Sequence, residues 1–92
     1  MQLNVIENKE KQRFEAEIDG QLAVADYQIA GNAVVFTHTE IPMAYRGQGF
    51  GEELAAAALE VVRERGMQVV PQCKFIAAFI DKHPEFQDMV KS

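Results

Sequence analysis

Residues 45–54 read YRGQGFGEEL: Gly47, Gly49 and Gly51 stand at every second position, an arginine precedes them, and two glutamates and a leucine follow. Glycine in or beside a helix costs about 1 kcal/mol relative to alanine, so three in front of a helical stretch mark a backbone with a task. What flanks them decides the fold. Downstream, Glu52 to Arg65 (EELAAAALEVVRER) contains no helix breaker. It sets Leu54, Ala58, Val61 and Val62 on one face, with Ala55 and Leu59 beside it. Glu52 and Glu53 open this helix and Arg63 and Arg65 close it, both matched to the dipole. Gly66 is placed as its left-handed C-terminal cap. Upstream, Ala33 to Thr39 (AVVFTHT) is apolar and β-branched, as a central strand should be. The glycines therefore join a central strand to the helix that leaves it.

Working outward, the first forty residues read as strands. Leu3, Val5 and Glu7 alternate with Asn4 and Ile6, and Asn8 to Lys11 supply a polar turn. Arg13 to Asp19 alternates Phe14, Ala16 and Ile18 with charges, the pattern of a strand with one wet face. Asp19-Gly20 is a two-residue hairpin signal, and Ala30-Gly31-Asn32 closes the next strand, Leu22 to Ile29. After the helix, Met67 to Val70 is short, apolar and bounded by Pro71, a fifth strand that a crossover helix should lay parallel to the fourth. Lys74 to Lys82 forms a second helix, and Pro84 suits the start of a last short one carrying Phe86, Met89 and Val90. The expected fold is one α+β domain spanning residues 1–92. Its mixed sheet is a four-stranded antiparallel meander, followed by a helix, a fifth parallel strand and C-terminal helices.

Composition narrows the function. The chain has 92 residues and a net charge of −5, leaving no basic field for nucleic acid or an anionic membrane. The lone cysteine excludes an internal disulfide and a cysteine-cluster metal site. Glu10, Glu15, Glu17 and Asp19 read as a solvated face without metal-ligand spacing. The N-terminus, MQLNVIENKEK, meets charge by Glu7 and reads as no signal peptide, and Leu54 to Leu59 is far short of the ~20 apolar residues of a membrane span. The expectation is a cytoplasmic domain with no metal, nucleic-acid or membrane partner.

In a sheet of this kind ligands bind at the carboxyl ends of the strands, where the glycines lie. Unpaired amides at a helix start, with its positive dipole end, suit an anionic group. A dinucleotide fingerprint needs its third glycine one residue later, and a P-loop needs Lys-Ser/Thr where Glu52 follows Gly51. Arg46-Gly47-Gln48-Gly49-Phe50-Gly51 instead resembles the R/Q-x-x-G-x-G/A signature of the GNAT N-acetyltransferase superfamily. The neighbours His38-Thr39-Glu40-Ile41-Pro42, Val70-Pro71-Gln72-Cys73, the following Phe-Ile-Ala, and His83-Pro84 extend the likeness over nearly the whole chain. It is similar to minimal, single-domain GNAT-like proteins of the YjdJ type.

That resemblance implies acetyl-CoA as co-substrate, its pyrophosphate held by backbone amides of the Arg46–Gly51 loop, with Ile41 and Pro42 beside it and Arg46 pairing with a phosphate. Larger members insert two helices after the first strand and add a hairpin after the last helix, and those parts build much of the acceptor pocket. Here a turn stands in the first place and the sequence stops at Ser92 in the second. The acceptor, an amine on a small molecule or a protein, is left open. Cys73 follows the fifth strand at the mouth of a helix, where thiolate is favoured, and the resemblance puts it near the thioester. Its bland reading is a small buried hydrophobe. His38, read on the face shared by Val34 and Phe36, and Glu40 are candidate bases; the plain alternatives are a hydrogen-bonded core histidine and a solvated strand-end acid. Tyr45 reads as an aromatic anchor of the loop and His83 as structural. Two functions compete: an acetyl-CoA-dependent N-acetyltransferase, working directly or through an acetyl-Cys73, and a non-catalytic acyl-CoA-binding module or sensor.

Overall fold

The structure is a computed structural model that describes residues 3–91; Met1 and Gln2, which open the N-terminal stretch read above, and Ser92 lie outside them. Strands β1 (Val5–Asn8), β2 (Arg13–Ile18), β3 (Gln21–Ala30) and β4 (Ala33–Glu40) form the meander. Helix α1 (Phe50–Glu64), strand β5 (Gln68–Pro71), helix α2 (Lys74–Lys82) and a 3-10 stretch (Pro84–Met89) follow. The five strands lie in sequence order, β1 to β4 antiparallel and β5 parallel to β4.

The turn chemistry explains the hairpins. Asp19 and Gly20 both take positive φ, 49° and 81°, as a tight two-residue turn between β2 and β3 requires. Gly66, at φ 69°, ends α1: its amide donates to the Arg63 carbonyl and the Met67 amide to that of Val62, a Schellman cap. Met67 is thereby taken up by the cap, and the fifth strand starts one residue later than the sequence pattern placed it and ends on Pro71. The last helix is 3-10 rather than α; beyond it Val90 bridges Val69 and the Lys91 amide donates to the Val69 carbonyl, so the chain's end begins to extend the sheet past β5.

One face of the sheet carries the core. Phe14, Tyr27 and Phe36 meet across β2, β3 and β4 with ring centroids 5.5–6.4 Å apart. Leu54, Ala55, Ala58, Leu59 and Val62 of α1 lie over them, and Ile76, Phe79 and Ile80 of α2 complete the cluster. Ala55 and Ala58 are almost wholly buried, which lets α1 ride close to the sheet. At the edge of this face Glu7 accepts from Tyr27 Oη at 2.5 Å and from the Arg65 guanidinium at the end of α1, tying β1 to the helix. No described helix is long and apolar enough to cross a membrane.

The decisive irregularity is in β4. Its register with β3 runs from Ala30↔Ala33 to Tyr27↔Phe36 and resumes at Asp26↔His38, so Thr37 is an extra residue with no partner. A one-residue bulge inverts which face each later side chain occupies. Thr39 turns to the core side, paired with Ala25, while His38 and Glu40 turn outward. The expectation that His38 shares the face of Val34 and Phe36 is thus corrected: its side chain is 59% exposed.

Candidate functional site

The β4–β5 ladder ends at Phe36↔Pro71, with the Cys73 amide still donating to the Phe36 carbonyl at 2.9 Å. Strand β4 runs on to Glu40 with no strand partner on that side among the described residues, and the glycine loop shares a cavity with its end. A short 3-10 turn, Met43–Tyr45, starts after Pro42, and Arg46 Nε donates to the Ile41 carbonyl at 2.9 Å, closing the segment on itself. The Gln48 amide group donates to the Ala44 carbonyl at 3.2 Å. Tyr45 is an anchor, as its aromatic character led one to expect. Its hydroxyl donates to Asp19 in the β2–β3 turn at 2.5 Å, and its ring meets Phe50 edge-on at 6.0 Å. The bond to Asp19 holds the phenol in its neutral form and raises its pKa.

The three glycines do two different jobs. Gly47 and Gly49 take positive φ, 77° and 88°, and Gly49 is the N-cap of α1, immediately before its first residue. Gly51 is already inside the helix, so α1 starts two residues before Glu52. A Cβ on Gly51 would sit 2.5 Å from Phe75 Cζ, so it is glycine to let the Phe75 ring of α2 lie against the helix. Phe50 is likewise in the helix and 8% exposed; its side chain is a core anchor of the loop.

These elements enclose a cavity of about 440 Å³, within the usual range for a small-molecule site. Arg46, Gly47, Gly49 and Gly51 border it on the loop side, Glu40 and Ile41 at the end of β4, and Phe75 supplies an apolar wall. The first-turn amides of α1 have no intrahelical acceptor, and Gly49 has no side chain to cap them. Arg46 forms no ion pair with a carboxylate among the described residues, whereas Arg13, Arg63 and Arg65 all do. Glu52 also borders the cavity, so its mouth is not uniformly positive.

Of the residues singled out in the sequence, Glu40, Ile41, Tyr45, Arg46, Gly47, Gly49 and Gly51 line this cavity; Pro42, Gln48, Phe50, His38 and Cys73 are not part of its lining. His38 Nε2 lies 3.1 Å from Glu40 Oε1 on the open side of the sheet; of the pair, Glu40 borders the cavity and His38 stands behind it. Cys73, 8% exposed at the start of α2, donates from Sγ to Thr39 Oγ1 at 3.3 Å. The structure therefore couples Cys73 to Thr39 and His38 to Glu40, and not Cys73 to His38. Thr39 and Phe75, both on the cavity wall, were missed in the sequence. Phe75 was findable as the aromatic two residues after Cys73; Thr39 was hidden by the bulge. No group of three or more His, Cys, Asp or Glu among the described residues is arranged to hold a metal.

A meander joined by a crossover helix to a parallel fifth strand, with a glycine loop that shares a cavity with the end of the fourth, defines an acetyltransferase-type α+β domain. The chain belongs to the GCN5-related N-acetyltransferase family, whose pattern it matches over residues 13–89. It is 33% identical over 85 residues to protein NATD1 of Bos taurus, a span covering 89% of this chain and 75% of that protein. To protein NATD1 of Danio rerio it is 33% identical over 88 residues, covering 92% and 80%. The solution structure of a GCN5-like protein from Staphylococcus aureus superposes with a TM-score of 0.71 at 22% identity, covering 98% of this chain and 89% of that one. Family and fold together make this chain an enzyme of the acetyltransferase class.

Proposed function

We propose that the chain transfers an acetyl group from acetyl-CoA to an amine, with the coenzyme held at the Arg46–Gly51 loop. The observation that carries this is the cavity at the start of α1. It combines two positive-φ glycines, uncapped first-turn amides and an arginine without a carboxylate partner, at the carboxyl end of β4. Those features fit a pyrophosphate, and the Phe75 wall fits an apolar arm leading toward the β4–β5 gap. Acetyl-CoA, when bound, supplies the acetyl group activated as a thioester. Glu40, which borders the cavity, takes the proton from the incoming amine, and His38 beside it orients Glu40 and passes that proton to solvent. Cys73 returns a proton to the departing sulfur through the Thr39 hydroxyl on which its thiol rests. Its burial behind Thr39 favours this direct transfer over an acetyl-Cys73. Calorimetry with acetyl-CoA tests the coenzyme site: wild type binds, Arg46→Ala binds about tenfold or more weakly, and Gly49→Asp not at all. Equal binding by all three proteins refutes the assignment. Coenzyme binding with no transfer to any amine would favour an acyl-CoA-binding module.

A further inference from the structure

The helices cover one face of the sheet only, and the other lies open. Register places two rows across it: Ile6, Glu15, Val24 and Glu40 in one, Asn8, Arg13, Asp26 and His38 in the next. Glu17 and Leu22 pair just beyond. Ile6 and Leu22 are 55% and 48% exposed, large apolar side chains left in water on a strand face. The charge is one-sided. Arg13 is bound to Glu15 at 2.5 Å, while Glu17 and Asp26 have no ion-pair partner among the described residues and Glu40 has only His38. The first row runs into Glu40, which also lines the cavity, so this face and the candidate site are continuous.

We propose that this open face docks the acceptor, and that the acceptor is a basic, extended polypeptide segment offering a lysine amine at the Glu40 end. The inference rests on the acetyl-transfer reading above. Four strands span about 14 Å, the reach of four or five extended residues. Lysine methylenes can lie over Leu22, Val24 and Ile6 while the ammonium groups meet Glu17, Asp26 and Glu40. A small polyamine answers the charges and leaves the exposed apolar side chains uncovered.

The test is a titration of isotope-labelled protein, followed by NMR amide shifts, with a ten-residue peptide carrying lysine at alternate positions and with spermidine in parallel. The peptide should move amides of β2 and β3 and of Glu40, and bind more tightly than spermidine. Glu17→Lys and Leu22→Ser should each weaken the peptide about fivefold while acetyl-CoA binding stays unchanged. Four outcomes overturn the proposal: no shifts, shifts confined to α1 and α2, spermidine binding as tightly as the peptide, or a sedimenting dimer that Leu22→Ser dissociates. Calorimetry on the same samples separates the two readings. Failure of acetyl-CoA to bind sinks the function proposed above, whereas the docking surface is read from the shifts alone.

Discussion

Replacing Gly51 by alanine sets two effects of opposite sign against each other. Inside a helix alanine is favoured over glycine by about 1 kcal/mol. Here, however, the new Cβ would stand 2.5 Å from Phe75 Cζ and 3.2 Å from both Cε atoms, closer than carbon atoms can approach. Something must move. The obstruction is the end of a side chain that is 36% exposed, so the ring swings outward rather than the backbone shifting. Overpacking of this kind costs about 1–3 kcal/mol. With about 2 lost and about 1 regained, Gly51→Ala should be destabilising by about 1 kcal/mol, or roughly 4–8 °C in Tm for a domain this size. In a Phe75→Ala background the obstruction is gone, and the same substitution should become stabilising by about 1 kcal/mol. Urea unfolding of the four proteins measures the coupling, expected near 2 kcal/mol against the 0.3–0.5 kcal/mol scatter of independent sites. Gly49→Ala is the contrast: at φ 88° with nothing within 4 Å of its Cβ, it should cost about 1–2 kcal/mol in either background. If Gly51→Ala has the same effect with and without the Phe75 ring, the reason given for this glycine is wrong.

The Glu7 cluster predicts the pH limits of the fold. The bond from Arg65 holds the Glu7 carboxyl below its usual 4.5, so the cluster's stabilisation is intact above about pH 4.5 and disappears as pH falls through the lower folded value. Burial, then the bond to Glu7, pushes Tyr27 up to about 12, so its contribution is intact below pH 10 and lost as pH climbs toward 12. Arg65→Ala should cost about 1–3 kcal/mol and move acid unfolding to higher pH; an unchanged acid limb would refute the pairing. Glu52→Gln removes a carboxylate from the cavity mouth and should tighten acetyl-CoA a few-fold by calorimetry, with unchanged or weaker binding counting against the phosphate assignment. Cys73→Ser should fold and bind acetyl-CoA yet transfer at least tenfold more slowly in an acetylation assay, because a serine hydroxyl is a far poorer proton donor near neutral pH; full activity would remove the thiol from the mechanism.

Most of the fold was legible because its signals are local. Alternation of Phe14, Ala16 and Ile18 gives β2 its faces, Asp19-Gly20 can hardly be anything but a tight turn, and Gly66 closes α1 where a left-handed cap was expected. The misplaced limits have tertiary causes. Phe50 joins the helix because its ring is drawn into the core against Tyr45, and Gly51, the next helical residue, is glycine because Phe75, 24 positions on, leaves no room for a Cβ. Seen from the sequence, Gly-x-Gly-x-Gly looks like three copies of one device. The backbone separates it into two glycines that bend a loop and one that admits a ring.

The bulge at Thr37 accounts for the rest, and it bears directly on how the chemistry is divided. In an unbroken strand His38 would face the core with Phe36, and Thr39 would face solvent. One extra residue exchanges them, which sends Thr39 inward to meet Cys73 and leaves His38 outside against Glu40. The proposed proton donor and proton acceptor are thereby put on opposite sides of the same strand, the Cys73 thiol on the core side and the His38–Glu40 pair on the open face. Nothing in AVVFTHTE announces the insertion, since a bulge depends on the partner strand's register and not on the residue that carries it. Deleting Thr37 should therefore remove the bulge and leave these faces as they are. Phe36 still meets Tyr27, His38 meets Asp26 and Thr39 meets Ala25, now in an unbroken ladder. Thr39 stays on the core side against Cys73 and His38 stays outward against Glu40, so a folded deletion variant should bind the coenzyme and keep its transfer activity. Loss of transfer in a folded variant that still binds acetyl-CoA would show that the two sides of β4 do not divide the work in this way.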